Sequence, residues 1–260
     1  MHANLQVPVG TILGFVLVLS RIMGVFVFLP LPGKDAGPSM PRVVLAFATS
    51  LALLPQWPAM AQTDLSPGLV VFWLISELGL GLTIGLLVGF LAEALTVGAH
   101  ILGLQAGYAY ASVIDPTTQA DSDVLQVLAQ LTGGLLFFIT GLDHSAIRAF
   151  VQSIHAFPPG QFLLTQGLVL SVVAVGANIF SLGLRLAMPI VALLLMTEIA
   201  LALLAKLSPQ LQTGHNTAPI KMLLALLMLV SIFRVIPQLY EGYAAQIVHV
   251  LNARFPLVRP

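Results

Sequence analysis

The side chains that most often carry chemistry are few in this sequence, and their spacing does not predict a catalytic or metal site. No cysteine is present, which excludes disulfides, thiolate nucleophiles and cysteine-ligated metals. The six histidines stand at positions 2, 100, 144, 155, 215 and 249, so no pair has the four-residue spacing that zinc proteases use. Neither a G-x-S-x-G motif nor a phosphate-binding glycine loop occurs. We therefore expect a protein that is not an enzyme and that holds no cofactor and no metal.

A second group of chemically capable residues consists of charges set inside or beside long apolar runs: Arg21, Glu77, Glu93, Arg185 and Glu198. An unpaired charge in the hydrocarbon core of a membrane costs at least about 2.5 kcal/mol. Each charge must therefore pair or meet water, either as a structural ion pair between neighbouring helices or as part of a proton or ion path. Because the charges are spread along the chain, pairing of Arg21 or Arg185 with a glutamate is the favoured alternative.

Composition places these residues in a membrane protein. Of the 260 residues, 58% are hydrophobic and 8% are charged, far from the roughly 25% charged residues of a soluble domain. The lipid bilayer is therefore an expected partner. Ten basic residues balance ten acidic ones, so no broad electrostatic field attracts nucleic acid, which is not an expected partner. Apolar runs of about 20 residues predict membrane spans at 9–29, 69–92, 94–114, 124–142, 167–184, 186–205 and 219–236. The run 43–54, closed by Pro55, is shorter and predicts a half-length helix.

Small residues at intervals of four indicate close helix packing. Gly81, Gly85 and Gly89 form one stripe, and a neighbouring backbone can approach such a face. A second stripe contains Ala99, Gly103, Gly107 and Ala111. We expect the stripes on two successive helices, packed either within the chain or against other subunits.

Two segments, 143–160 and 237–255, are amphipathic, and each predicts a helix that either lies at an interface or docks on a partner helix, or packs on its own protein, which is the favoured alternative. In the first, Ile147, Phe150, Val151, Ile154 and Phe157 recur at helical spacing opposite Arg148, Gln152 and His155. In the second, Leu239, Tyr243, Ile247 and Val250 stand opposite Gln238, Glu241, His249 and Asn252.

The segment 103–126, GLQAGYAYASVIDPTTQADSDVLQ, interrupts the apolar chain with small residues, two tyrosines and Asp-Pro. From the residues alone it reads as a turn with a tyrosine anchor at the membrane interface. Its distinctive residues are Gln105, Gly107, Tyr108, Tyr110, Val113, Ile114, Asp115 and Pro116.

Five motifs in order resemble the FliR family of flagellar biosynthetic proteins, over nearly the whole chain. They are SRIMGVFVFLPLPGKDAGPSMPRVVLAFATSLALLP, ISELGLGLTIGLLVGF, the segment 103–126, RAFVQSIHAFPPG and LRLAMPIVALLLMTEIALALLAKLSPQL. One departure is the polar stretch LQTGHNTAPIK, where the family usually continues with an apolar one. That departure leaves open the injectisome branch of the family, SctT, although the segment 103–126 favours the flagellar branch.

The resemblance implies an all-α integral membrane protein of bent helical hairpins, with half-length helices, in a helically wound multi-subunit export gate. It implies one domain, 1–260, with a FliP-like half at 1–160 and a FliQ-like half at 161–260. It further implies FliP and FliQ as partners, FlhB and FlhA as neighbours, unfolded flagellar proteins as substrates, and a place in the bacterial cytoplasmic membrane within the flagellar basal body. A secondary transporter or channel that works alone is the rival class, and it predicts an internal repeat, of which the sequence shows none.

The resemblance also changes the interpretation of the segment 103–122. It becomes a helix end and loop that project into the central pore and plug the closed channel. Gly107 and Ala111 allow the chain to bend, Tyr108, Tyr110, Val113 and Ile114 supply bulk that excludes water, and Pro116 breaks the helix.

Overall fold

The computed structural model describes residues 9–31, 39–53, 66–107, 124–160, 166–207 and 217–255. Within these ranges the chain forms eight α-helices and no strand, which confirms the all-α prediction. They are α1 (Val9–Phe28), α2 (Met40–Ala52), α3 (Pro67–Ala106), α4 (Val124–Ile139), α5 (Leu142–Ala156), α6 (Gln166–Leu207), α7 (Thr217–Phe233) and α8 (Ile236–Arg254).

Helices α1 and α3 run parallel with their backbones in direct contact. A side-chain carbon added to Gly85 would lie 2.5 Å from the Val25 carbonyl oxygen, and carbons added to Gly81 and Gly89 would overlap the carbonyl groups of Arg21 and Phe28. On the facing helix, Gly24 meets the Leu78 carbonyl in the same way, at 2.6 Å. The first glycine stripe therefore packs within the chain. Helix α2 returns antiparallel along α1, where the rings of Phe15 and Phe47 meet edge to face at 5.6 Å.

Two pairs of predicted spans are each one continuous helix, so the prediction of separate spans was wrong. The segments 69–92 and 94–114 belong largely to α3, which has 40 residues, and the segments 167–184 and 186–205 lie in α6, which has 42. Glu93 and Arg185 interrupt the hydropathy but leave the backbone hydrogen bonds of a helix intact, and α6 even contains Pro189. Both glycine stripes therefore begin on α3, the first near the middle of the helix and the second toward its end.

Helix α3 is the centre of the molecule, with α6 parallel to it and α4 antiparallel. In the last third of α3, Gly98 faces Gly183 of α6, where an added side-chain carbon would lie 3.1 Å from the carbonyl oxygen. Lower on the same pair of helices Phe90 lies against Gly176, and near the end of α3 a buried cluster joins Ala106 to Leu194. Of the second stripe, Ala99 belongs to this cluster, which also holds residues of α6 and α7, while Gly103 and Gly107 are buried and Ala111 lies outside the described residues.

The chain repeats one arrangement, although the sequence shows no repeat. In each case a long helix is followed by a returning pair of helices with a sharp bend, 64° between α4 and α5 and 54° between α7 and α8. Three helices, α1, α3 and α6, are long and apolar enough to cross a membrane, and each bent pair adds one possible span, up to five in all for the described residues. Helix α2, with 13 residues, is the expected half-length helix.

The amphipathic segments pack on their own chain, as expected, but their buried faces differ in detail from the prediction. In α5 the side chain of Ile147 is 46% exposed, whereas Gln152 is buried. In α8 the buried line is Ile236, Tyr240, Ala244, Ile247 and Leu251, so Leu239 lies outside it. Small residues such as Ala244 occupy the buried face because the neighbouring helices approach closely, and a search for bulky apolar residues misses them.

We predict that Gly81→Ala destabilises the protein by more than about 2 kcal/mol, because the new methyl group meets backbone atoms of α1 that cannot move independently. Thermal unfolding of the full chain in detergent, together with its level in the membrane, measures the effect. The matched control is Gly68→Ala in the first turn of the same helix, where an added carbon meets nothing within 4 Å. Equal stability of the two variants would contradict the backbone contact.

Candidate functional site

A fully buried ion pair joins the two parallel helices α1 and α3. Arg21 Nε donates to Glu77 Oε2 at 2.5 Å, and both side chains are 0% exposed. The pair lies one turn below the contact of Gly81 with α1, so the glycine brings the helices close enough for the charges to meet. The sequence left two alternatives open for Arg21, a structural ion pair or a proton or ion path. The structure shows the ion pair.

The remaining polar atoms of this pair are satisfied by a third part of the chain. Arg21 Nη1 donates to Ser153 Oγ at 3.2 Å, and Nη2 donates to the Phe157 carbonyl oxygen at 2.8 Å. Glu77 Oε1 accepts the backbone N–H of Gly160, also at 2.8 Å. A buried charge pair with such additional hydrogen bonds avoids most of the cost of leaving charged groups unsatisfied. The pair therefore fastens α1, α3, α5 and the turn after α5 at one point.

The turn after α5 owes its shape to Pro158, Pro159 and Gly160. Gly160 has φ of +85°, a left-handed conformation that favours glycine, and a side-chain carbon there would lie 3.2 Å from the ring of Trp73 on α3. The ring of Phe157 meets Phe255 edge to face at 6.2 Å, which connects the turn to the end of α8. The sequence carries this Pro-Pro-Gly at the end of the motif RAFVQSIHAFPPG, but sequence reasoning missed its contacts with the ion pair.

The other predicted charges do not join this cluster. Arg185 is exposed on α6, and the described part of the chain provides it with no hydrogen-bond or ion-pair partner. Glu93 is exposed and lines a cavity of about 50 Å³ with Arg42 and Gln130. Glu198, 52% exposed, pairs instead with Lys221 of α7 at 3.0 Å. The structure thus separates one buried structural pair from three charges nearer the surface.

Arg42 is a buried cation that the charge analysis did not single out. It is 3% exposed at the start of α2, and its Nη1 donates to the Val27 carbonyl oxygen near the end of α1. The signal for it was the Pro-Arg that opens the short helix. Arg42 closes the end of α1, whose last carbonyls have no partner within the helix.

The segment predicted to carry a pore plug begins at the end of α3. Gly103 is buried in the last turns, Gln105 is half-buried, and Gly107 ends the helix with φ of +89° and its N–H bonded to the Gly103 and Leu104 carbonyls. Such a left-handed glycine is a common helix end. The other residues of the prediction lie outside the described residues: Tyr108, Tyr110, Ala111, Val113, Ile114, Asp115 and Pro116.

No group of three or more histidine, aspartate or glutamate side chains lies within reach of one metal ion in the ranges that the structure describes. The second cavity of about 50 Å³ lies between α3, α4, α6 and α7 and is lined mainly by apolar side chains, including Leu186, Ile232 and Phe233.

Comparison with known proteins gives consistent matches along the chain. A family model described as Bacterial export proteins, family 1, matches residues 12–247. The flagellar biosynthetic protein FliR of Escherichia coli (strain K12) is 26% identical over 235 residues, which are 90% of this chain and 89% of that protein. FliR of Bacillus subtilis (strain 168) is 27% identical, covering 85% and 86%. The Yop proteins translocation protein T of Yersinia pestis is 29% identical, covering 84% and 85%.

We predict that Glu77→Gln lowers the free energy of unfolding by about 3–5 kcal/mol, because it leaves the guanidinium of Arg21 buried without a counter-charge. The double variant Arg21→Met with Glu77→Leu loses less than the sum of the two single losses, since no lone charge remains. Thermal unfolding of the full chain in detergent measures these changes. The control is Glu93→Gln, an exposed glutamate of the same helix. If Glu77→Gln behaves like this control, the ion pair does not stabilise the fold.

Proposed function

Because the chain belongs to the bacterial export proteins, family 1, the FliR/SctT family of type III secretion, we propose that it is a non-catalytic subunit of the flagellar export gate. With FliP and FliQ it forms the channel through which unfolded flagellar proteins leave the cell, and flagellum assembly requires it. The observation that carries the proposal is the family match over residues 12–247, together with flagellar relatives that align with nine-tenths of the chain.

The lengths of the helices support a role inside a larger assembly. At 1.5 Å per residue, α3 and α6 are about 60 Å long, twice the roughly 30 Å hydrocarbon core of a bilayer. Only a tilt of about 60° would place either helix wholly in the bilayer, beyond the 0–40° that membrane helices adopt. A large part of each helix therefore lies outside the lipid.

The apolar surface of these helices supports the same conclusion. Phe72 and Ile75 near the start of α3, and Leu170, Val173 and Phe180 in the first half of α6, are all more than half exposed. Soluble proteins rarely expose such large apolar areas to water. Where these surfaces stand outside the bilayer, other subunits cover them, and FliP and FliQ are the partners that the family implies.

We also propose that the halves 1–160 and 161–260 are a FliP-like and a FliQ-like unit. The repeated arrangement, a long helix followed by a bent returning pair, supports this division. The same repeat removes one sequence argument against a transporter that works alone, since a repeat is also typical of transporters. The decision between the two classes therefore rests on the family match and on assembly with partners.

The segment 103–122 is proposed as the plug of the closed channel. In its support, α3 ends at Gly107 in a left-handed turn, and α4 returns antiparallel from Val124, so the connection leaves the central helix of the molecule at one end. Tyr108 follows the glycine directly in the sequence, and Tyr110 stands two residues further on. Bulky rings beside small residues are suited to closing a narrow path to water and ions.

The protein is placed in the bacterial cytoplasmic membrane within the flagellar basal body, beside FlhB and FlhA. A second candidate is the injectisome gate protein, because the Yop proteins translocation protein T is 29% identical to this chain. Some of the flagellar relatives align with a larger share of the chain, up to 90% against 84%, which favours the flagellar role.

We predict that the tagged chain, expressed with FliP and FliQ of the same organism, co-purifies with both from mild detergent, as mass spectrometry of the eluate would detect. In a strain that lacks its own FliR-family flagellar protein, the chain restores swimming motility, which separates the flagellar from the injectisome role. A chain that purifies alone, stably folded, and transports a small solute would overturn the assignment to the gate.

We predict that deletion of residues 108–115 makes the assembled channel leak ions, because the bulk that closes the path is removed. Planar-bilayer conductance of the purified complex measures the leak. The control deletes the same number of residues at 209–216, in the connection between α6 and α7. If the first deletion leaves conductance unchanged while the complex still assembles, the plug proposal fails.

A further inference from the structure

The face of α6 that points away from α3 changes composition at Arg185. Gly176, Gly183 and Ala187 face α3, so residues half a turn away from them lie on the outward face. Between Leu170, which is exposed near the start of the helix, and Arg185, the residues on that face are small or polar, and those after Arg185 are mostly large and apolar. The former are Ala174, Asn178 and Ser181, and the latter are Met188, Ala192, Met196, Ile199 and Leu203, all of them exposed or half-exposed.

A second exposed arginine stands at the same level of the α6–α7 hairpin. Leu186 and Phe233 line one cavity, and each is the sequence neighbour of an arginine, Arg185 on α6 and Arg234 in the turn directly after α7. The bend of 54° between α7 and α8 falls at this same level. Two cations and a change of helix direction thus coincide.

The apolar part of α6 beyond Arg185 has the length of a bilayer. The 20 residues between Arg185 and Lys206, which is exposed in the last turn, correspond to about 30 Å of helix, the thickness of the hydrocarbon core. The one charge between them, Glu198, is paired with Lys221. No equally long segment of α3 is bounded by cations in this way, because the charged residues of α3 in the described part are glutamates.

We propose that the α6–α7 hairpin beyond Arg185 and Arg234 lies in the hydrocarbon core, and that these two arginines bind the phosphates of anionic lipids at one bilayer surface. A guanidinium offers several N–H donors in a planar fork that matches a phosphate group, and its aliphatic stem lies along apolar surface while the charge reaches the headgroups. Lys206 marks the opposite surface. This placement does not depend on the export role.

The test of lipid binding is thermal unfolding of the full chain in neutral detergent with added phosphatidylglycerol. We expect the lipid to raise the Tm by roughly 2–4 °C, and we expect the shift to be lost in the double variant Arg185→Gln with Arg234→Gln. Arg148→Gln, which removes an exposed arginine of α5, keeps the shift. Inorganic phosphate at the same concentration has no effect. An equal shift in the double variant, or an equal effect of inorganic phosphate, overturns the proposal.

The absence of native cysteine allows a second measurement on the depth of α6 that does not depend on the arginine variants. Single cysteines replace Asn178 and Ile199 on the outward face, and opened membrane vesicles that hold the full chain expressed alone are treated with a membrane-impermeant maleimide. We expect labelling of Asn178→Cys in the membrane and labelling of Ile199→Cys only after detergent is added. Labelling of Ile199→Cys in the membrane, or equal protection of both positions, overturns the placement.

Discussion

The fold depends on a buried salt bridge, because either of its two charges would destabilise the protein if it were buried without the other. Arg21 and Glu77 are both withdrawn completely from solvent, so each is stable only because the other neutralises it and because the Phe157 carbonyl and the Gly160 N–H complete their hydrogen bonds. These partners come from segments far apart in the chain. The arrangement therefore forms only when α1, α3 and the turn after α5 have all reached their places, which selects one packing from the many that apolar helices would otherwise allow.

Close backbone contact is the condition that makes this salt bridge possible. Without side chains at Gly24, Gly81 and Gly85, the axes of α1 and α3 approach until carbonyl groups of one helix lie over the glycines of the other. In apolar surroundings the hydrophobic effect does not distinguish one helix neighbour from another, so shape and polar pairing carry the specificity. Glycine supplies the shape, and Arg21 with Glu77 supplies the pairing.

The sequence predicted which kinds of feature the structure contains better than it predicted where each helix begins and ends. The glycine stripe and the pairing of Arg21 followed from spacing and from the cost of a charge in lipid, two strong local constraints. The single helices α3 and α6 did not, because a hydropathy window ends at Glu93 or Arg185 although neither residue breaks the backbone. Contacts that involve backbone atoms, such as those of Phe157 and Gly160, leave no signature in side-chain type. Residues 108–116 of the predicted plug lie outside the described residues and stay a prediction.

Helices α3 and α6 run parallel but are shifted relative to each other along their common axis. Gly176 is the eleventh residue of α6 but lies against Phe90, the twenty-fourth of α3, and Leu194, the twenty-ninth of α6, belongs to the same buried cluster as Ala106, the last residue of α3. Each end of α6 is thus displaced by about 20 Å in the same direction, at 1.5 Å per residue. The arrangement of α3, α4 and α5 and that of α6, α7 and α8 are consequently displaced from each other along the helix axis. A further unit placed in the same way would rise by the same amount, whereas the members of a flat ring have no rise between them.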